Sequence, residues 1–263
     1  MRRVVITGMG AVTPLGEGVG ATFEGLLAGR SGVGPITRFD ARAFPTTFAA
    51  EVKGFDLGRH LPDAAPWKGM RIAGQCALAA GRMALGQAGL LEGGPRERFG
   101  VYLGTGEGKQ DFHNLLRLTG RSHDPASPDH LDHVRLARHG SELYVRENEY
   151  EQELHTPSAA LALAFGLEGP NFACLTACAA GTQALGEAAQ LVRHGDADLM
   201  LAGGAHSMVY ELGLTGFTLL TALSKRNADP QRASRPFDAG RDGFVLGEGA
   251  GLLVLEELEH ARR

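Results

Sequence analysis

Three cysteines occur in this chain, and one of them, Cys178, has neighbours suited to chemistry. The run Ala173-Cys174-Leu175-Thr176-Ala177-Cys178-Ala179-Ala180-Gly181-Thr182-Gln183-Ala184-Leu185-Gly186 reads as the end of a short apolar strand, Asn171–Cys174, a tight turn of small residues, and then a helix. Leu185, Ala188, Ala189 and Val192 fall on one face of that helix. Cys178 is therefore expected on a strand-to-helix elbow, at the helix N-terminus. Backbone N–H groups and the helix dipole favour negative charge there, and with it the thiolate. Ala177, Ala179, Ala180 and Gly181 leave room for a substrate to reach the sulfur, an arrangement that suits a nucleophile for acyl transfer. The competing reading is a buried small hydrophobe, a common fate of cysteine. Cys174, inside the strand, and Cys76, in the helical pattern Ile72-Ala73-Gly74-Gln75-Cys76-Ala77-Leu78, fit that reading better.

The elements that must hold this turn can be read from apolar runs and their breakers. Strands are expected over 4–7, bounded by Gly8, over 48–52, over 99–103, and over 199–202 ending in Gly203-Gly204. Two final strands, 244–246 and 252–255, are joined by glycines. Helices are expected over 22–28, over a long Ala-rich stretch 70–90, over 159–165, and from the Cys178 turn to about His194. Strands alternating with helices imply an α/β fold with a mostly parallel sheet. No internal repeat is visible. The segment 113–153 is unusually rich in charge and histidine. His130 and His133 are three apart and could share a helix face, but no complete ligand set accompanies them, so a solvated face is expected and no metal site.

Composition narrows the classes. With 263 residues and 43% hydrophobic content, one large domain with a sizeable core is expected over 1–263. A net charge of -4 argues against non-specific nucleic-acid binding. Three cysteines without paired spacing suit a reducing cytoplasm. No apolar run reaches membrane-spanning length, and no signal-peptide pattern follows Met1-Arg2-Arg3. A dinucleotide-binding reading of Gly8-Met9-Gly10-Ala11-Val12-Thr13 is set aside, because the fingerprint's third glycine is missing.

Four motifs carry a resemblance. Arg3-Val4-Val5-Ile6-Thr7-Gly8-Met9-Gly10-Ala11-Val12-Thr13-Pro14-Leu15-Gly16 resembles the opening of β-ketoacyl-acyl-carrier-protein synthases. Ala173-Cys174-Leu175-Thr176-Ala177-Cys178 looks like that family's active-site cysteine motif, and Gly195-Asp196-Ala197-Asp198-Leu199-Met200-Leu201-Ala202-Gly203-Gly204-Ala205 matches next. Ser234-Arg235-Pro236-Phe237-Asp238, followed by Arg241-Asp242-Gly243-Phe244-Val245-Leu246-Gly247-Glu248-Gly249-Ala250-Gly251, is similar to the family's signature between its two halves. The motifs come in the family's order and spacing, and they look most like the discrete type II elongating synthases.

The resemblance implies the N-terminal half of a thiolase-like fold: a five-stranded, mostly parallel sheet with helices on both faces, and a cap-like charged insertion at about 109–157. It implies Cys178 as the residue that takes an acyl chain, followed by decarboxylative condensation with malonyl carrier protein in fatty acid or polyketide synthesis. It implies no bound cofactor, since the phosphopantetheine arm arrives on an acyl carrier protein. It also implies a homodimer, because in the family the segment matching Asn171–Cys174 lies at a two-fold interface. The family's two catalytic histidines lie in its second half, and none of the ten histidines here has the matching His-Gly-Thr or Gly-His-Thr context. A companion C-terminal half is therefore expected, and the chain alone is expected not to condense. The alternative is a catalytically incomplete module that binds a carrier protein or another partner.

Two places depart from the family pattern. In Gly104-Thr105-Gly106-Glu107-Gly108-Lys109, Glu107 stands where the family has an apolar residue facing the acyl pocket. In Leu154-His155-Thr156-Pro157-Ser158, His155 stands where apolar or aromatic residues are usual. In the family that second segment reaches toward the partner's pocket; either Glu107 and His155 form a polar pocket for an unusual acyl group, or both turn to solvent, or the segment aligns differently, and an ionised Glu buried without a partner would be costly. Phe217 matches the family's apolar pocket wall. Lys68 and Arg71 fall near the family's basic patch for the acidic carrier protein.

Overall fold

The fold was analysed from a computed structural model that describes residues 1–92, 96–108 and 110–263. Lys109, the last residue of the glycine loop quoted above, lies outside the described residues. In chain order the elements are β1 (Val4–Thr13), β2 (Gly16–Glu17), α1 (Val19–Leu27), β3 (Gly34–Pro35), β4 (Phe48–Ala49), α2 (Ile72–Gln87), β5 (Phe99–Gly104) and α3 (Phe112–Arg121). There follow β6 (His123–Asp124), β7 (Ser127–Leu131), α4 (His133–Leu143), α5 (Arg146–Tyr150), α6 (Thr156–Phe165), β8 (Asn171–Cys174), α7 (Ala180–His194), β9 (Leu199–Ser207), α8 (Glu211–Leu219), β10 (Glu248–Glu257) and α9 (Leu258–Ala261).

Six strands form the central sheet in the order β2-β1-β10-β9-β5-β8. Five of them are the expected strands, and the sixth is the two-residue β2 at one edge. The sheet is mixed where the sequence suggests mostly parallel pairing. β5 runs parallel to both β8 and β9, whereas β10 is antiparallel to β9 and to β1. The parallel part follows from helical crossovers, because α6 and α7 carry the chain between those strands. β10 arrives after the long excursion 208–247 and inserts between β9 and β1 from the opposite direction.

Helices cover both faces. On one face α2 and α6 bury Leu78, Leu85 and Leu161 against Phe99, Val101 and Leu252. On the other, Ala188 and Val192 of α7 pack on Met200, Ala202 and Leu255. The close approach of α2 explains why β1 contains glycines. A Cβ at Gly10 would lie 1.9 Å from the Ala80 carbonyl oxygen, so only glycine lets the helix backbone sit against the strand. Gly8 and Gly10 therefore lie inside β1, and the strand continues to Thr13 instead of ending at residue 7.

The expected strand 244–246 is not formed. Phe244 makes only an isolated bridge to Leu223, and the final strand is the single β10. Its Gly249 adopts φ 145°, with its Cβ position 2.3 Å from the Val12 carbonyl oxygen. Over 48–52 only Phe48–Ala49 is strand, paired with Gly34–Pro35. The charged segment folds into α3, the β6–β7 hairpin, α4 and α5. There His130 Nδ1 is 2.7 Å from the Ser127 hydroxyl, and His133 is the first residue of α4. Among the described residues no helix is long and apolar enough to cross a membrane.

Candidate active site

β5, β8 and β9 are parallel, so their carboxyl ends open on the same side, where α/β sheets usually hold their ligands. Gly104 at the end of β5 is in register with Cys174 on one side and Gly204 on the other. The Thr105 N–H donates to the Cys174 carbonyl at 3.0 Å, extending the ladder by one rung. Beyond Cys174 the chain turns sharply. Ala177 has φ 50°, a left-handed conformation that costs a residue with a side chain about 1–3 kcal/mol. The Ala179 N–H reaches back to the Thr176 carbonyl at 3.1 Å, and the Ala180 N–H to the Ala177 carbonyl at 3.2 Å. Cys178 stands at the top of this loop, two residues ahead of the first residue of α7.

The three thiols are sorted by their surroundings. Cys178 is exposed, Cys174 half-buried and Cys76 buried, and all are free. Burial, with Glu248 and Glu17 adding to it against Arg38, pushes the Cys76 thiol up to about 12. Burial and then Glu187 raise Cys174, whose thiol donates to the Ala180 carbonyl at 3.5 Å. The assignment of Cys76 and Cys174 as structural residues therefore agrees with their burial.

Cys178 lines an open cavity of about 490 Å³ together with Thr105, Gly181, Gly204, His206 and Glu248. Several of its walls are bare backbone, which leaves room over the sulfur. A Cβ at Gly204 would sit 3.1 Å from the Gly181 Cα, so β9 and the first turn of α7 touch with no side chain between them.

Two residues of this wall carry polar chemistry that the sequence pattern did not single out. Glu248 is buried, with a side chain only 1% exposed. One carboxylate oxygen accepts the Val52 N–H at 2.8 Å and the Arg38 guanidinium, and the other accepts the Ser207 hydroxyl at 2.7 Å. His206, in register with Gly249, donates from Nε2 to the Glu107 carbonyl at 3.3 Å. Its one sequence signal is a polar residue closing the apolar run of β9.

A second cavity of about 300 Å³ adjoins the first and shares Thr105, Ala205 and His206 with it. Glu107 and Arg71 line it. His155 does not join Glu107 there. Its ring lies edge-on to Tyr150 with centroids 5.9 Å apart, and its Nδ1 is 3.9 Å from Glu153. The backbones of the two segments do meet, since the Thr105 hydroxyl donates to the Leu154 carbonyl at 3.1 Å. Of the readings open for Glu107 and His155, the structure has both side chains exposed and not paired with each other, and the side chain that meets the glycine loop is His206. Phe217 packs edge-on against Phe244, centroids 5.3 Å apart, in a small core with Val209, Leu214 and Leu246, and lines neither cavity. Lys68 is exposed just ahead of α2, and Arg71 caps that helix, its backbone N–H held by Glu151 at 3.0 Å.

Comparison with known proteins agrees with this architecture. The family model described as the N-terminal domain of β-ketoacyl synthase matches residues 1–261. The chain is 40% identical over 268 residues to 3-oxoacyl-[acyl-carrier-protein] synthase 2 of Coxiella burnetii, covering 100% of this chain and 59% of that enzyme. It is 39% identical to the chloroplastic synthase I of Arabidopsis thaliana, covering 100% of this chain and 53% of the relative. The chain thus spans little more than half the length of these relatives. Among solved structures, a β-ketoacyl synthase from Burkholderia phymatum superposes with a TM-score of 0.79 at 33% identity, over 100% of this chain and 60% of that one. A type II polyketide ketosynthase in complex with its acyl-carrier protein superposes with a TM-score of 0.78 at 30% identity, over 99% of this chain and 59% of that one. With the fold, the cysteine elbow and a match running almost from end to end, the chain belongs to the β-ketoacyl synthase family and carries its N-terminal domain.

Proposed function

We propose that this chain is the acyl-accepting part of a β-ketoacyl-acyl-carrier-protein synthase and that Cys178 is its nucleophile. The carrying observation is the single exposed thiol on a strained elbow over an open, glycine-walled cavity at the carboxyl ends of the parallel strands. The Cys178 thiolate attacks the carbonyl carbon of an acyl thioester on the phosphopantetheine arm of a carrier protein. The bond to the pantetheine sulfur breaks, that sulfur leaves and takes up a proton, and the acyl group remains on Cys178. Backbone N–H groups at the elbow, that of Cys178 first, are placed to stabilise the oxyanion. Malonyl carrier protein then loses carbon dioxide, and the resulting carbanion attacks the acyl-cysteine carbonyl. A carbon–carbon bond forms, the carbon–sulfur bond breaks, and the Cys178 thiolate returns. Resemblance assigns the two histidines of this second step to a C-terminal half, so the chain alone is expected to stop at the acyl-enzyme. The carrier delivers the substrate, and no bound cofactor enters the scheme.

Partners follow from the surfaces. Among the described residues β8 pairs only with β5, and its Phe172 is 47% exposed at the sheet edge. That edge supports the homodimer reading, since a self-complementary strand pair is the simplest two-fold contact. Leu26 and Leu27 on α1 present a further apolar surface, which fits a companion half. The free thiols suit the cytoplasm.

Lys68 supplies the test of carrier docking. Lys68→Glu is expected to slow acyl transfer from acyl-carrier protein severalfold, with the difference shrinking as salt is added, while transfer from a small pantetheine thioester is unchanged. Equal rates from carrier protein would remove Lys68 from the docking surface. Carrier binding without any transfer to Cys178 would favour the binding-module reading.

A further inference from the structure

We infer that the cavity beside the nucleophile selects acyl chains bearing a neutral hydroxyl or amide group, with Glu107 as the specificity-determining residue. This rests on the reading that Cys178 accepts an acyl chain, and it names the class of chain.

The two cavities share Thr105, Ala205 and His206, so the second is where a chain carried on Cys178 can extend. Its volume of about 300 Å³ is at the low end of small-molecule sites, which run from about 300 to 1,000 Å³. Its walls mix apolar side chains, among them Met70, Ile72, Leu154 and Val209, with charged ones. The start of α2 contributes Arg71, the glycine loop Glu107, and the stretch from α5 toward α6 contributes Asn148, Glu151 and Glu153.

Most of these groups already have partners. Arg38, which also lines the cavity, is held by Glu248, Glu151 by the Arg71 N–H, and Glu153 lies beside His155. Among the described residues the Arg71 guanidinium and the Glu107 carboxylate have no hydrogen-bond or ion-pair partner. Tyr210 lines the same cavity, and its phenol is raised chiefly by burial, then by Glu107, with Arg71 opposing. Among the described residues the cavity therefore presents a donor and an acceptor without partners.

An apolar chain would strip water from both without replacing a hydrogen bond, which is unfavourable. A carboxylate tail would meet Arg71 but also Glu107, Glu151 and Glu153, and the acidic groups outnumber the unpaired cation. An ammonium would satisfy Glu107 and be repelled by Arg71. A hydroxyl or amide both donates and accepts, so it suits either Glu107 or Arg71 and is repelled by neither. The loop that carries Glu107 is fixed by two contacts, His206 to the Glu107 carbonyl and Thr105 to the Leu154 carbonyl. A Cβ at Gly106 would lie 2.0 Å from the His206 ring, so the loop and the histidine are closely packed.

The test compares binding of the non-transferable amide isosteres of octanoyl-pantetheine and ω-hydroxyoctanoyl-pantetheine by calorimetry. The chain is expected to bind the hydroxylated isostere about tenfold more tightly, the scale of one charge-assisted hydrogen bond. Glu107→Leu, which changes an exposed side chain with no partner among the described residues, is expected to reverse the preference. Glu107→Gln, which keeps an acceptor, is expected to retain it. Equal or tighter binding of the plain chain, an unchanged preference in Glu107→Leu, or no binding of either isostere would overturn the inference. The matching thioesters separate it from the acyl-transfer reading. Hydroxyl preference with no acylation of Cys178 sinks that reading and leaves the cavity's selectivity standing, whereas acylation with no preference does the opposite.

Discussion

Glu248→Ala is expected to cost about 3 kcal/mol of folding stability. Both oxygens of this buried carboxylate are in use, on a peptide N–H, a guanidinium and a hydroxyl from three separate segments. Removing one partner of a buried charge pair typically costs about 3–5 kcal/mol, because the other partner is left without compensation. The low end applies, since the Arg38 side chain is 32% exposed and can partly rehydrate. The Val52 N–H and the Ser207 hydroxyl cannot rehydrate so readily. Ser207 adjoins His206 at the end of β9, so the carboxylate also fixes the wall shared by the two cavities. A fall in the urea midpoint with an unchanged slope reports the effect. A variant as stable as the parent would show that Glu248 does not clamp Arg38 and Val52 to the sheet.

The second large effect is expected at Gly104. A Cβ there would lie 2.3 Å from the Ala180 carbonyl carbon and 2.4 Å from its oxygen, both backbone atoms of the first turn of α7. Gly104→Ala must push that turn away from β5, and Cys178 moves with it. A displacement of about 1 Å commonly costs about 100-fold in rate, and overpacking adds about 1–3 kcal/mol of destabilisation. Acylation of Cys178 is therefore expected to fall about 100-fold in a protein that still folds. Gly186, on the same helix, has open space at its Cβ position. Gly186→Ala is expected to leave acylation unchanged and to gain roughly 0.5–1 kcal/mol from helix propensity. Acylation of Gly104→Ala at the parental rate would refute the claim that this contact positions the nucleophile.

These residues also mark what was legible in the sequence. The elbow was legible because its signals are local: β8 has the expected bounds Asn171–Cys174, and the small residues around Cys178 do make an open turn. Strand lengths were less legible wherever glycine served packing. Gly8 and Gly10 look like breakers in a one-dimensional pattern, yet α2 requires them inside β1, and Gly249 lies inside β10 where a Cβ would meet the Val12 carbonyl oxygen. The sheet's mixed character depended on the direction from which β10 returns, which no local period encodes. Glu248 was hidden because its partners, Arg38 and Val52, are about two hundred positions away in the chain. The contact between segments 104–108 and 154–158 within one chain is a feature of the structure, carried by the Thr105 hydroxyl on the Leu154 carbonyl. Which side chains meet there was not legible, since rotamers turn His155 toward Glu153 and Tyr150 and bring His206 to the loop instead.

The central claim is that Cys178 accepts the acyl group, and the most direct measurement locates that group. The chain is incubated with an acyl-carrier protein thioester near neutral pH, digested, and mapped by mass spectrometry. One acyl group is expected, on the peptide carrying Cys178, and Cys178→Ala should carry none. Cys76, buried with its thiol pushed up to about 12, and Cys174, also raised by burial, should stay unmodified. Acyl groups on Cys76 or Cys174, or persistent labelling of Cys178→Ala, would contradict the account.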